Sequence, residues 1–428
     1  MVVRFKLWPT RNIRGLLLKY FRYTLDDLQK SADRKLFTYI SFFAGGGGSS
    51  AGYKLAGGDC LFVNEFQQVA VDTYLKNWPG TPHICDDIKN ITGEQIMEMT
   101  GLEKYELDIM DGSPPCPPFS MSGSKRAGWG KEKVAYGMKQ KNIEDLTWEM
   151  IRIAGELMPK VIICENVKGL TMEYAADYRN RMVKDFEALG YSTVWKVLKG
   201  HEHGVPQKRE RIFIVSVRDD VLDEIGLPFM CLGSVFPDPD KVEPTVRDAI
   251  YDLKDDPKNI EEAKELTKIM RESSKGHWIH GFDTHPDFPG SGPCLGLRGI
   301  NDRSGVISIG DNIVKPWFEE QIKKGIIEKE DEKHSYYMSR VVPWDQAAHS
   351  LTESGLQPKF MGGNHMHPEE PRIYTATEAK RIMSLPEDYY AGDDPDTCGA
   401  RIGLMVAPLC MAALAERVYE EVLEKYNA

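Results

Sequence analysis

Leu36-Phe-Thr-Tyr-Ile-Ser-Phe-Phe43 runs straight into Ala44-Gly-Gly-Gly-Gly-Ser49, and this junction decides the fold. The first part has the aromatic and β-branched content of a strand. The glycines then let the backbone turn close to a ligand with no Cβ in the way, and a helix is expected over 50–56. Such a unit suits a nucleotide-like cofactor, although a glycine run by itself also reads as a plain turn. No Gly-Lys-Ser/Thr follows, so it is not a P-loop. Outward from here come a strand at Cys60–Val63, a helix from Gln67 to Asn77 and a short strand at Leu107–Asp111. The apolar run Val161–Cys164 reads as a buried parallel strand, and Tyr191–Leu198 and Arg211–Val217 as two more. The alternation implies an α/β fold with a doubly wound, mostly parallel sheet, whose ligands sit outside the carboxyl ends of the strands.

The 428 residues are 41% hydrophobic and 28% charged, a globular composition with room for one large domain and a second. After Val217 the character changes. Residues 225–370 are rich in loops, with Pro237, Pro239, Pro244, Pro257 and the stretch His285–Pro293. Helical periodicity returns at Thr377–Met383 and Val406–Val422. No run of eighteen apolar residues appears, and Leu16–Leu18 is too short for a signal peptide, so a cytoplasmic protein is expected. The eight cysteines show neither CxxC nor Cys/His ligand spacing, which implies no disulfide framework and no metal. A net charge of -11 speaks against a general nucleic-acid footprint, but Ser120–Lys141 alone carries +5. That strip suits a polyanion, or is a solvated loop.

Four places carry chemistry. Behind the glycine turn, Glu65 at the end of the second strand is placed to accept from ribose hydroxyls, with Phe66 to stack on a purine and Asp86-Asp87 to receive an amino group. Ser113-Pro-Pro-Cys116-Pro-Pro118 holds a cysteine in a turn rigidified by prolines, a poor core position and a fair one for a nucleophile. Glu165 directly follows the apolar strand, where a carboxylate is either a helix cap or an acid with a raised pKa. Gln207, Arg209 and Arg211 alternate into a strand and would form one polar face suited to an anion or a planar base edge.

These elements, in this order, resemble the DNA (cytosine-5-)-methyltransferases, from about Phe37 to Val217 and again from Pro371 onward. The resemblance implies the class I S-adenosylmethionine-dependent methyltransferase fold. Phe43, Gly45 and Gly47 would then contact S-adenosylmethionine, with Glu65 on the ribose, Phe66 where the family usually stacks Trp, and Asp87 and Leu146 at the adenine. Cys116 would be the nucleophile, and Glu165, Arg209 and Arg211 would serve the target base. The division expected is a helical arm at 1–36, a catalytic and cofactor-binding domain at 37–224, a target-recognition domain at 225–389 and a return to the catalytic domain at 390–428. Trp278, Arg298, Arg303, Trp317 and Arg340 are candidate base readers, with a structural role the alternative for each, and Ser120–Lys141 would close over a flipped-out base. The partners implied are duplex DNA and a cognate restriction endonuclease, with the enzyme itself a monomer.

Three departures stand out. Pro117 replaces the family's usual Gln, Ser41 replaces an Asp before the glycines, and Gly403-Leu-Met-Val-Ala-Pro408 replaces Gly-Asn-Ser-Val-Pro-Pro. Leu404 and Met405 would put an apolar wall at the cofactor's methionine end, implying weak binding or an altered sulfonium cofactor; simple packing is the alternative. An RNA cytosine methyltransferase of the same fold is the rival activity.

Overall fold

The structure is a computed structural model that describes residues 20–115, 145–240, 242–273, 342–357, 365–370 and 372–428, with short strand segments elsewhere. One sheet has seven strands: β1 (Phe37–Phe42), β2 (Gly58–Asn64), β3 (His83–Ile84), β4 (Ile109–Gly112), β5 (Val161–Val167), β6 (Tyr191–Lys199) and β7 (Glu210–Arg218). Their order is β6-β7-β5-β4-β1-β2-β3, and β7 alone runs against its neighbours. The sheet read from the sequence is therefore present, with β3 the strand that reading missed: two residues leave no pattern to recognise. The order reverses between β1 and β4, so the crevice lies at their carboxyl ends.

Successive side chains leave the sheet on opposite faces. Tyr39, Ile109, Ile163 and Phe213 join one core, while Ile40, Met110, Ile162 and Ile214 join the other. Both faces are covered, which is why these strands read as continuous apolar runs. On the first face lie α1 (Leu25–Ala32), α2 (Gly48–Leu55) and α3 (Gln68–Asn77); on the second, α4 (Gly93–Thr100), α5 (Leu146–Leu157) and α6 (Ala176–Ala188).

The first core also takes in α7 (Val246–Ile250), α8 (Ala376–Ile382), α9 (Pro395–Leu404) and α10 (Pro408–Val418). Leu232, Val246, Ile250, Tyr374 and Ile382 thus share a core with Phe37, and the packing has no break at 225 or 389. The compositional change there reflects short helices reaching the sheet between polar turns. Among the described residues of the expected arm at 1–36, the helix is Leu25–Ala32, after a pair of two-residue strands at Asn12–Ile13 and Leu16–Leu17. Leu28 is fully buried, so this helix belongs to the core. The helical periodicity read over 406–422 is α10 and its continuation: Pro408 opens the helix after an extended Met405 has ended α9. The helical run Pro395–Tyr426 is long and apolar enough to cross a membrane, yet 78% of its most apolar window is buried inside the protein.

Candidate active site

The glycine turn is built from both sides. Gly45 (φ 53°) and Gly47 (φ 92°) are left-handed, a conformation that costs glycine nothing. A Cβ on Gly46 would lie 2.4 Å from Met405 Cε, one on Gly47 2.1 Å from Trp78 Cζ3, and one on Gly48 2.4 Å from the Val406 carbonyl oxygen. Tyr389 donates its hydroxyl to the Gly46 carbonyl. A Cβ on Gly45 would meet nothing within 4 Å. The turn is therefore braced behind and open at Gly45, a cradle that a flat, polar cofactor fits.

Glu65, at the end of β2, holds this turn. Its Oε2 accepts from the Gly45 amide at 2.9 Å and its Oε1 from the Gln67 amide at 3.0 Å. Burial pushes its pKa up, against the pull of those amides and of Arg401. Phe66 follows, half-buried. Phe43 and Leu146, far apart in sequence, belong to one cluster, Leu146 buried in it and Phe43 packed against it. Asp87 Oδ1 caps the turn Ile88–Asn90 by accepting from the Lys89 amide at 3.0 Å.

Cys116, its neighbour Pro117 and the strip Ser120–Lys141, apart from the short strands Lys133–Ala135 and Met138–Gln140, lie outside the described residues, as do Trp278, Arg298, Arg303, Trp317 and the Arg340 side chain. The root of the cysteine turn is described. Asn166 Nδ2 donates to the Pro114 carbonyl at 3.1 Å, fastening the turn to the end of β5 beside Glu165. Glu165 is buried and pairs with Arg211, Nε to Oε1 at 2.9 Å. Burial raises its pKa, while Arg211 and then Arg209 draw it down.

Two expectations need correction. Gln207, Arg209 and Arg211 do not form one face toward a ligand, because the strand starts only at Glu210. Arg209 is 4% exposed and donates to the carbonyls of Leu351 at 2.7 Å and Gly403 at 3.2 Å. It ties the last segments of the chain to the sheet and reaches Glu165 only through its charge. Gln207 likewise accepts from the Leu351 amide at 2.8 Å. Leu404 and Met405 do not form one wall either. An extended Met405 ends the helix, so Met405 is buried behind Gly46 while Leu404 is 40% exposed.

Sequence reasoning missed Asp111, a fully buried carboxylate held by Ser41, Ser49 and Tyr53. An acid at the carboxyl end of the short strand Leu107–Asp111 was the available signal. Tyr389 was missed too, for it reaches the glycine turn from far along the chain.

The family described as C-5 cytosine-specific DNA methylase matches residues 37–420. The chain is similar to Type II methyltransferase M.XorII of Xanthomonas oryzae pv. oryzae, 25% identical over 90% of this chain and 85% of the relative. It is similar to Type II methyltransferase M.AgeI of Thalassovita gelatinovora, 25% identical over 89% and 98%. A prophage-encoded E. coli protein, described as a DNA modification methyltransferase, shares the fold: TM-score 0.56, 20% identity, 91% of this chain and 99% of that one. The chain belongs to the C-5 cytosine-specific DNA methylases, and is an enzyme that methylates carbon 5 of cytosine in DNA with a methyl donor of the S-adenosylmethionine type.

Proposed function

We propose that S-adenosylmethionine itself is the donor, held by Phe43, Gly45, Gly47 and Glu65 with Phe66, Asp87 and Leu146 around its base, and that Cys116 is the nucleophile. The observation that carries this reading is the Glu165–Arg211 pair beside the turn that Asn166 fastens at Pro114, next to a glycine cradle open at Gly45. When bound, S-adenosylmethionine supplies an electrophilic methyl group. Carbon 5 of cytosine is too weak a nucleophile to take it unaided. The Cys116 thiolate adds to carbon 6, forming a C–S bond, while Glu165 donates at ring nitrogen 3 and Arg211 at the exocyclic oxygen to disperse the developing charge. Carbon 5 would then take the methyl group, its bond to the sulfonium sulfur breaking to leave S-adenosylhomocysteine. A base removes its proton and the C–S bond breaks, restoring the thiolate. The base must leave the stack for any of this.

Target recognition is assigned within 225–389. The setting proposed is a cytoplasmic monomer acting on duplex DNA. A cognate restriction endonuclease is the partner that the Type II names of its relatives favour.

Duplex DNA carrying 5-fluorocytosine tests the assignment. The parent enzyme should form a covalent adduct that survives denaturation, and Cys116→Ser none. An adduct in the variant, or none in the parent, refutes it.

A further inference from the structure

Three hydroxyls converge on a carboxylate beneath the crevice. Asp111 Oδ2 accepts from Ser41 Oγ at 2.6 Å and Ser49 Oγ at 2.9 Å, and its Oδ1 accepts from Tyr53 Oη at 3.2 Å. Ser41 is its register partner across β1 and β4. Ser49 and Tyr53 belong to α2, the helix that leaves the glycine turn. Asp111 itself is 1% exposed and sits in β4, which leads into the cysteine turn.

A buried carboxylate is costly, and an apolar residue of similar volume would often serve the core as well or better. What an apolar residue cannot do is triangulate. The donors come from two points on α2 and one on β1, so α2 cannot slide or roll over the sheet without breaking a bond. One end of this joint is the glycine turn and the other the cysteine turn. The register sets Ser41 and Asp111 directly opposite each other, so a carboxylate at either position falls at the same strand pair.

We propose that Asp111 is a positioning residue, whose carboxylate fixes the separation between the donor-binding turn and the turn that carries Cys116. The proposal rests on the assignment of those two turns made above. It gives the buried acid a role in the reaction beyond holding the fold.

The test compares the parent with Asp111→Ser and with the exchange Ser41→Asp/Asp111→Ser, which returns one carboxylate to the same strand pair. Melting temperature, calorimetric binding of S-adenosylhomocysteine and kcat at saturating DNA and donor are measured for each. Asp111→Ser should bind S-adenosylhomocysteine more weakly and lose about 100-fold in kcat, the scale of a misplacement of about 1 Å. The exchange should regain most of both. A folded Asp111→Ser with the parent's kcat overturns the proposal, as does an exchange that regains melting temperature without kcat. Should Asp111→Ser not fold, the exchange decides alone: folded and active supports, folded and inactive overturns. Failure of the underlying assignment shows separately, as the parent failing to form the 5-fluorocytosine adduct.

Discussion

Arg211 Nε lies 2.9 Å from Glu165 Oε1 across the antiparallel pair of β5 and β7, with the carboxylate buried and the guanidinium half-buried. The two effects on the acid oppose each other. Burial favours its neutral form and the guanidinium its charged form, and burial is the larger. The result is an acid able to hold a proton at higher pH than an exposed glutamate, beside a fixed cation.

Replacing Glu165 by Gln should therefore lower kcat by about 10²- to 10⁴-fold, the usual worth of a positioned acid. Affinity for S-adenosylhomocysteine should be little changed, because Glu165 lies outside the glycine cradle. Steady-state methyl transfer and calorimetry check the two halves. A large loss of donor affinity would place Glu165 in the cofactor site instead.

Met405 and Leu404 should behave differently, since one is buried behind Gly46 and the other is exposed. Met405→Ala should cost about 2–5 kcal/mol of stability, as large-to-small core changes do, and should weaken donor binding by loosening the turn. Leu404→Asn should leave stability within about 0.5 kcal/mol. If it also leaves S-adenosylmethionine affinity unchanged by calorimetry, the departure at 404 is a surface change with no bearing on the cofactor.

Transfer of DNA specificity should need less than the whole stretch 225–389. Leu232, Val246 and Leu253 on one side and Tyr374 and Ile382 on the other are core residues shared with the sheet. A chimera exchanging only residues 274–339 with those of a relative should fold, stay active and adopt the relative's site. Methylome sequencing of an expressing host reads the outcome. An active chimera with unchanged specificity would move the recognition residues elsewhere.

The carboxyl of Asp111 is pushed up to about 6 by burial, with the three hydroxyls pulling the other way. Between its ordinary value and about 6 the folded protein holds a proton that the unfolded chain has released. Stability from this group is thus fully present at low pH and falls as pH rises through that window, by about 3 kcal/mol. Asp111→Asn has no such proton. Urea unfolding should show the parent's stability relative to the variant falling by about that amount between about pH 4 and 7; an equal difference at both would sink the expectation.

The fold and half of the site were legible because their signals are local. β1 and its glycines, and β5 with Glu165, each announce themselves within ten or so residues. The sequence reading erred where partners are distant. Arg209 looks like a ligand-facing arginine until Leu351 and Gly403 are seen to take its donors. Asp111 looks like an ordinary strand end until Ser41, Ser49 and Tyr53 arrive from 58 to 70 residues earlier. Leu404 and Met405 are adjacent, and only the break between α9 and α10 sends them to opposite environments.

The brace behind the glycine turn also has a timetable. Tyr389 and Gly46, joined by a hydrogen bond, are 343 residues apart. At about 5–20 residues per second, a ribosome needs roughly 17–70 s to travel from one to the other. Throughout that interval the nascent chain displays β1 and its glycine turn without the aromatic and methionine side chains that back them. The early strands must wait, kept from other chains by whatever shields nascent apolar surface, and a donor-competent turn forms only as the last helices emerge. Maturation of this enzyme is a late event in its own synthesis, and stalled or truncated products should accumulate as chaperone clients with no affinity for the donor.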